Sequence, residues 1–189
     1  MGMLVDGSTL SIAAILLGGI ACVAAATVDL RERRVPNWLT LLTLAGALTI
    51  VSFRGLHNLE ASAAIVAGGL ILGCILHASG LLGGGDVKLL IGICALVGFP
   101  DCIPLLFYTA LAGGVLAIAA SLVQGRLHEV LEKTVGAVTA MWISKRFVLH
   151  RRLEAAPLRE RMPYALAIAA GFAILVLSKT YLPALRIPL

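Results

Sequence analysis

Two carboxylic acids in this chain stand where they can do chemistry. Asp29 follows an apolar run from Thr9 to Val28, and Asp86 immediately precedes another that begins at Val87. Two apolar runs read as membrane crossings lie between them, Trp38 to Phe53 and Ala61 to Ala78, so the chain returns to the same side and to nearly the same depth. Two carboxyls sharing a site near a low-dielectric boundary do not easily both ionise; one keeps a proton while the other stays negative. Such a pair can hydrolyse a peptide bond. The ionised member takes a proton from water as the water attacks the carbonyl, and the protonated member donates to the developing oxyanion. Coupled carboxyls titrate together, so their spacing assigns neither role to either residue.

Each acid also has a plainer local account. Asp86 stands where a helix N-cap would, meeting free N–H groups and the positive end of the dipole. Asp29 at the end of a helix faces the negative end, an unfavourable placement by about 0.3–1 kcal/mol. A surface salt bridge to Arg33 or Arg34, worth about 0–1 kcal/mol, offsets much of that. The stretch before Asp86 is Gly83, Gly84 and Gly85. Lacking a β-carbon, these residues are expected to reach φ > 0 and to let an extended peptide approach the acid and pair with the loop backbone. Their plainer account is a glycine-rich connector. Lys88 either tunes Asp86 or extends to the lipid head groups, and its long stem favours the second.

The elements that must position these residues follow from composition. The chain has 189 residues, 60% hydrophobic and 13% charged, with a mean hydropathy of +1.01. A soluble domain of this length cannot hide that much apolar surface. The expected fold is all-α: a polytopic membrane protein forming one domain over residues 1–189. It has six spans: Thr9 to Val28, Trp38 to Phe53, Ala61 to Ala78, Val87 to Phe99, Cys102 to Val123 and Tyr164 to about Ser178. Several are short of the roughly 20 residues a crossing helix needs; the fourth is the weakest, with a re-entrant or buried piece as its alternative. Charge chooses between them. With six crossings and the N-terminus outside, loops 29–37, 79–88 and 124–163 share one side and hold twelve of the fifteen Lys and Arg. Without the fourth crossing the division becomes six against nine. The positive-inside rule favours six crossings, with the basic loops in the cytoplasm.

Other classes fall away on similar grounds. The net charge of +5 sits between apolar runs, where it orients the chain in a bilayer, and no nucleic-acid partner is expected. Cys22, Cys74, Cys94 and Cys102 show no C-x-x-C spacing and read as small buried hydrophobes. His128 and Glu129 do not complete a zinc-protease motif, because position 132 is Glu132. With His57, His77 and His150 also scattered, neither a metal nor a cofactor is expected. Ala24-Ala25-Ala26 looks like a leader cleavage site, but no basic residue precedes the first run, which is read as uncleaved. Gly69 and Gly73 suit close helix packing. Residues 130–148 have Leu131, Val135, Val138 and Trp142 at helical spacing, which suits either an interfacial helix or a solvated connector. Pro36 and Asn37 are expected to start the second helix and Trp38 to anchor it at the interface.

Two stretches carry a resemblance. DLRERRVPNWLT (29–40) together with GGGDVKLL (83–90) resembles the type IV prepilin peptidases, membrane aspartic proteases of the G-x-G-D class, and in particular the short form of the tight-adherence pilus systems. Asp29 with Val35, Pro36 and Asn37 matches the family's first motif; Gly83, Gly85, Asp86 and Lys88 match its second. MPYALAIAAG (162–171) is similar to the segment that opens the family's last helix. The resemblance implies that Asp29 and Asp86 are catalytic. It further implies a multi-pass enzyme of the bacterial plasma membrane that cuts a short basic leader from prepilins after a glycine, on the cytoplasmic side. Long members carry paired C-x-x-C motifs and also methylate the new N-terminus; nothing here matches those cysteines, so methyl transfer is expected to be absent. The partners implied are a prepilin and the lipid bilayer, with the basic loop 124–163 suited to anionic head groups. The oligomeric state is not specified.

Two rival readings remain at this level. Ionisable groups at membrane spans also serve transporters, although transport sites sit near the midplane between repeats, and this sequence shows no repeat. A non-catalytic assembly protein of a secretion system is the other, with Asp86 a cap and Asp29 a salt-bridge partner.

Overall fold

The computed structural model describes residues 10–78, 82–123, 125 and 164–181. Within them lie six α-helices and no strand: α1 (Ile12–Glu32), α2 (Asn37–Ser52), α3 (Leu56–Ala78), α4 (Gly84–Val97), α5 (Cys102–Val123) and α6 (Tyr164–Tyr181). The expectation for residues 130–148 lies outside the described residues. Three helices, α1, α3 and α5, are long and apolar enough to cross a membrane, while α2 and α6 are shorter apolar helices.

Local chemistry sets the ends. Ser11 caps α1, its hydroxyl accepting from the Ala14 N–H. Arg33 closes it in the left-handed conformation, φ 53°, and its N–H returns to the Asp29 carbonyl. Pro36, extended, is the residue before α2, so the expectation that Pro36 and Asn37 start the second helix holds. Gly98, at φ 77°, ends α4.

At the centre of the bundle is α4, touching all five other helices. Val87, Leu89 and every residue from Ile91 to Val97 are buried. The short fourth segment is therefore the most enclosed helix described, packed mainly on α2 and α3, while α6 packs on α5 and α1. Glycines make these contacts close: Gly69 and Gly73 of α3 lie against Ile91 and Val87 of α4, and Gly171 of α6 lies against Thr109 of α5. Outward faces are apolar too, with Ile12, Ile20, Ile71, Phe107 and Val115 exposed, the pattern of a chain that meets lipid. Cys22, Cys94 and Cys102 are buried as expected, whereas Cys74 is exposed.

Cross-links mark two poles. At one, the Arg54 guanidinium donates to Ser11 Oγ, and Lys179 at the end of α6 pairs with Asp101 ahead of α5. At the other, α1 and α3 end while α2, α4 and α6 begin, and both acids stand there.

Candidate active site

Asp29 lies on the buried stripe of α1 with Cys22, Ala25 and Ala26, spacings of three, four and seven residues that share one helical face. Only 4% of its surface is exposed. Its place near the C-terminal end of α1 is unfavourable to a negative charge, and a neighbour compensates. The Ala165 N–H, in the first turn of α6, donates to Asp29 Oδ2 at 3.1 Å. A helix N-terminus brings both an unpaired donor and a positive dipole end. The positive charge of Arg33 also lies within reach of the carboxylate.

Asp86 is the third residue of α4, and the N-cap is Gly83. The capping account of Asp86 is corrected accordingly: the acid lies in the first turn, where the dipole still favours it, but it does not terminate the helix. Its carboxylate folds back over Gly83, so close that a β-carbon there would lie 2.6 Å from Oδ2. Oδ1 is buried with no hydrogen-bond partner among the described residues. Asp86 stands one residue ahead of the apolar run of α4. Its pKa is pushed up to about 7, first by burial and second by the negative charge of Asp29. The two acids are thus close enough to feel each other.

The positive φ expected of the glycines is not found. None of Gly83, Gly84 and Gly85 has a positive φ; Gly83 is extended (φ −67°, ψ 144°) and the other two are helical. What requires glycine is proximity. A β-carbon on Gly85 would stand 2.6 Å from the Val35 carbonyl oxygen, so the α1–α2 loop rests directly on the first turn of α4. Gly84 faces the His77 ring with ordinary space between them. His77 Nδ1, at the end of α3, lies 3.2 Å from the Leu82 carbonyl, a hydrogen bond when that nitrogen carries the proton.

Lys88, expected either to tune Asp86 or to extend to the lipid head groups, has a partner on another helix. Its Nζ donates to Asn37 Oδ1 at 3.0 Å and ties the start of α4 to the start of α2. Tyr164, the first residue of α6, rests its ring against Gly113 of α5 and lies within electrostatic reach of Asp86. Past Gly113, α5 runs on to Val123, about 15 Å along its own axis at 1.5 Å per residue. Near Asp86 an apolar groove of about 280 Å³ opens between α3 and α5, floored by α4; Leu82 and Val87, which bracket the Gly83–Asp86 turn, are part of its lining.

This polar cluster joins five helix ends in an otherwise apolar bundle. Among the described residues no group of three or more His, Cys, Asp and Glu could hold a metal ion. The model of the type IV leader peptidase family matches residues 16–118, more than half of the chain. The chain belongs to the type IV leader peptidase family. No curated protein and no solved structure matches it. As a member of a leader-peptidase family it is a protease, and its long apolar helices associate it with a membrane. The matched region holds both acids, both turns and most of α5; α6 lies outside it. The contributions of Tyr164 and the Ala165 N–H therefore come from the fold. In the sequence, only the MPYALAIAAG stretch pointed toward them. The approach of Val35 to Gly85 and the bond between Lys88 and Asn37 join positions about 50 residues apart, and no local signal reveals such pairings.

Proposed function

We propose that this protein is a prepilin leader peptidase in which Asp29 and Asp86 are the catalytic pair. The observation that carries the reading is the approach of these two acids, from the end of α1 and the first turn of α4, in a setting that lifts Asp86 to about 7. At such a value one carboxyl keeps its proton at neutral pH while the other is free to act as a base, which is the condition for acid–base hydrolysis. One aspartate takes a proton from water, the water attacks the scissile carbonyl, and the other aspartate protonates the carbonyl oxygen. Collapse of the tetrahedral species then releases the amine. The Gly83–Gly85 turn and Lys88 frame the approach to Asp86, and the apolar groove beside it accepts the hydrophobic segment that follows the cut.

In this reading all six helices cross the bacterial plasma membrane, with the N-terminus outside and the basic loops and the acids on the cytoplasmic side. The chain forms a single peptidase domain. The substrate is a pilin precursor cut after a leader glycine, and the product leaves unmethylated. Incubating the purified protein with a candidate prepilin and weighing both fragments tests this. A single cut after the leader glycine, a free unmethylated product terminus, and no cut by an Asp86→Asn protein are expected. An inactive wild type, or an active Asp86→Asn protein, would favour a non-catalytic assembly role.

A further inference from the structure

The two acids are not held alike. Asp29 Oδ2 accepts a hydrogen bond from the Ala165 N–H, a donor at the positive end of an 18-residue helix. Burial pushes the Asp29 carboxyl up from its ordinary value, and the Ala165 hydrogen bond and then the positive charge of Arg33, four residues further on, pull it back. Asp86 shares the favourable end of α4, yet its Oδ1 is buried without a donor among the described residues. A buried carboxyl oxygen with no donor disfavours the charged form, and a carboxylate accepting backbone N–H is stabilised. The other titratable neighbours do not reverse the difference. Tyr164 on α6 is within reach of Asp86, Lys88 on α4 is joined to Asn37 of α2, His77 on α3 faces Leu82, and α5 contributes the apolar Gly113.

We propose that the first turn of α6 is a positioning element that makes the pair unequal: its Ala165 N–H keeps Asp29 as the carboxylate that activates water, and the shared proton rests on Asp86. This assignment rests on the reading of the two acids as a hydrolytic pair. In the first step Asp29 takes a proton from water, the remaining hydroxide oxygen bonds to the scissile carbon, and Asp86 gives its proton to the carbonyl oxygen. In the second, Asp29 passes its proton to the leaving nitrogen, Asp86 recovers one from a hydroxyl of the tetrahedral species, and the C–N bond breaks. Both residues return to their starting states.

The test removes one hydrogen-bond donor. Replacing Ala165 by its α-hydroxy acid turns the amide into an ester and deletes the N–H while keeping the methyl group. In full-length enzyme acting on a prepilin, the ester is expected to lower kcat/KM near neutral pH by about 10- to 100-fold, the range of a hydrogen bond to a charged group. It should also move the acidic limb of the pH profile upward. An ester protein with an unmoved acidic limb overturns the proposal. A second measurement needs no activity. The infrared C=O band of a protonated carboxyl, recorded on folded protein at neutral pH, should be present in the wild type and vanish in Asp86→Asn; a band that survives in Asp86→Asn overturns the assignment. Failure of the wild type to cut a prepilin would strike the proposed function, and the infrared result would still decide where the proton sits.

Discussion

A single methyl group added at Gly85 should disable the enzyme, while the same group one residue earlier should not. At Gly85 the new β-carbon would stand 2.6 Å from the Val35 carbonyl oxygen and 3.0 Å from Val35 Cβ, and restoring an ordinary contact of 3.4 Å requires a shift of about 0.8 Å. The obstacle is backbone, and Val35 is itself buried, so the shift has to be taken up by the first turn of α4. Asp86 is the next residue. A displacement of about 1 Å at reacting groups lowers rates by about 100-fold, and overpacking of this kind destabilises by about 1–3 kcal/mol. At Gly84 the β-carbon would meet the His77 ring at 3.5 Å, an ordinary contact, and alanine favours the helix over glycine by up to about 1 kcal/mol. The assay is initial prepilin cleavage by Gly84→Ala and Gly85→Ala, with thermal unfolding in detergent as the check on folding. Expected are near-normal cleavage for the first and a loss of about 100-fold in folded protein for the second. Equal damage from both, or a silent Gly85→Ala, would refute the claim that the triplet is there for proximity.

Asp86 binds its proton more tightly in the folded chain, at about 7, than at its ordinary 3.8, so its contribution to stability declines as pH rises between those values. Melting temperatures in detergent should fall across that window in the wild type and fall less in Asp86→Asn. Asp29→Asn, which removes the neighbouring charge, should move the window downward. Lys88→Met and Asn37→Ala should each weaken the protein by about 0.5–1.5 kcal/mol, with the double variant no worse than either alone, because both remove one hydrogen bond; denaturant titration reads the coupling. At the far pole, Ser11→Ala removes a helix cap and a partner of Arg54, and should lower stability by about 1 kcal/mol while leaving cleavage unchanged.

The acids were legible in the sequence because parity is a property of helices: two antiparallel helices between Asp29 and Asp86 return the chain to one pole. The helix starts at Asn37, Cys102 and Tyr164 were legible for a similar reason, each following a break in the apolar pattern. Composition could not say which apolar helix is buried. Val87–Val97 and Cys102–Val123 read alike as hydrophobic runs, yet α4 is enclosed and α5 is largely exposed, since lipid and protein interior select the same side chains. The glycines at 83–85 announced that β-carbons are unwelcome, and sequence could not tell whether conformation or proximity excludes them. Least visible was the Ala165 N–H, a donor that almost any residue type supplies. Its role depends on α6 arriving beside α1 from 136 residues away.

The central claim is that Asp29 and Asp86 act as one unit on a peptide bond. Its most direct measurement is the prepilin cleavage rate of Asp29→Asn, Asp86→Asn and the double variant, each shown to be folded in detergent. Residues that act together lose their contribution together, so both single variants and the double should fall to the same background rate. Substantial cleavage by either single variant, or losses that multiply in the double, would contradict the account.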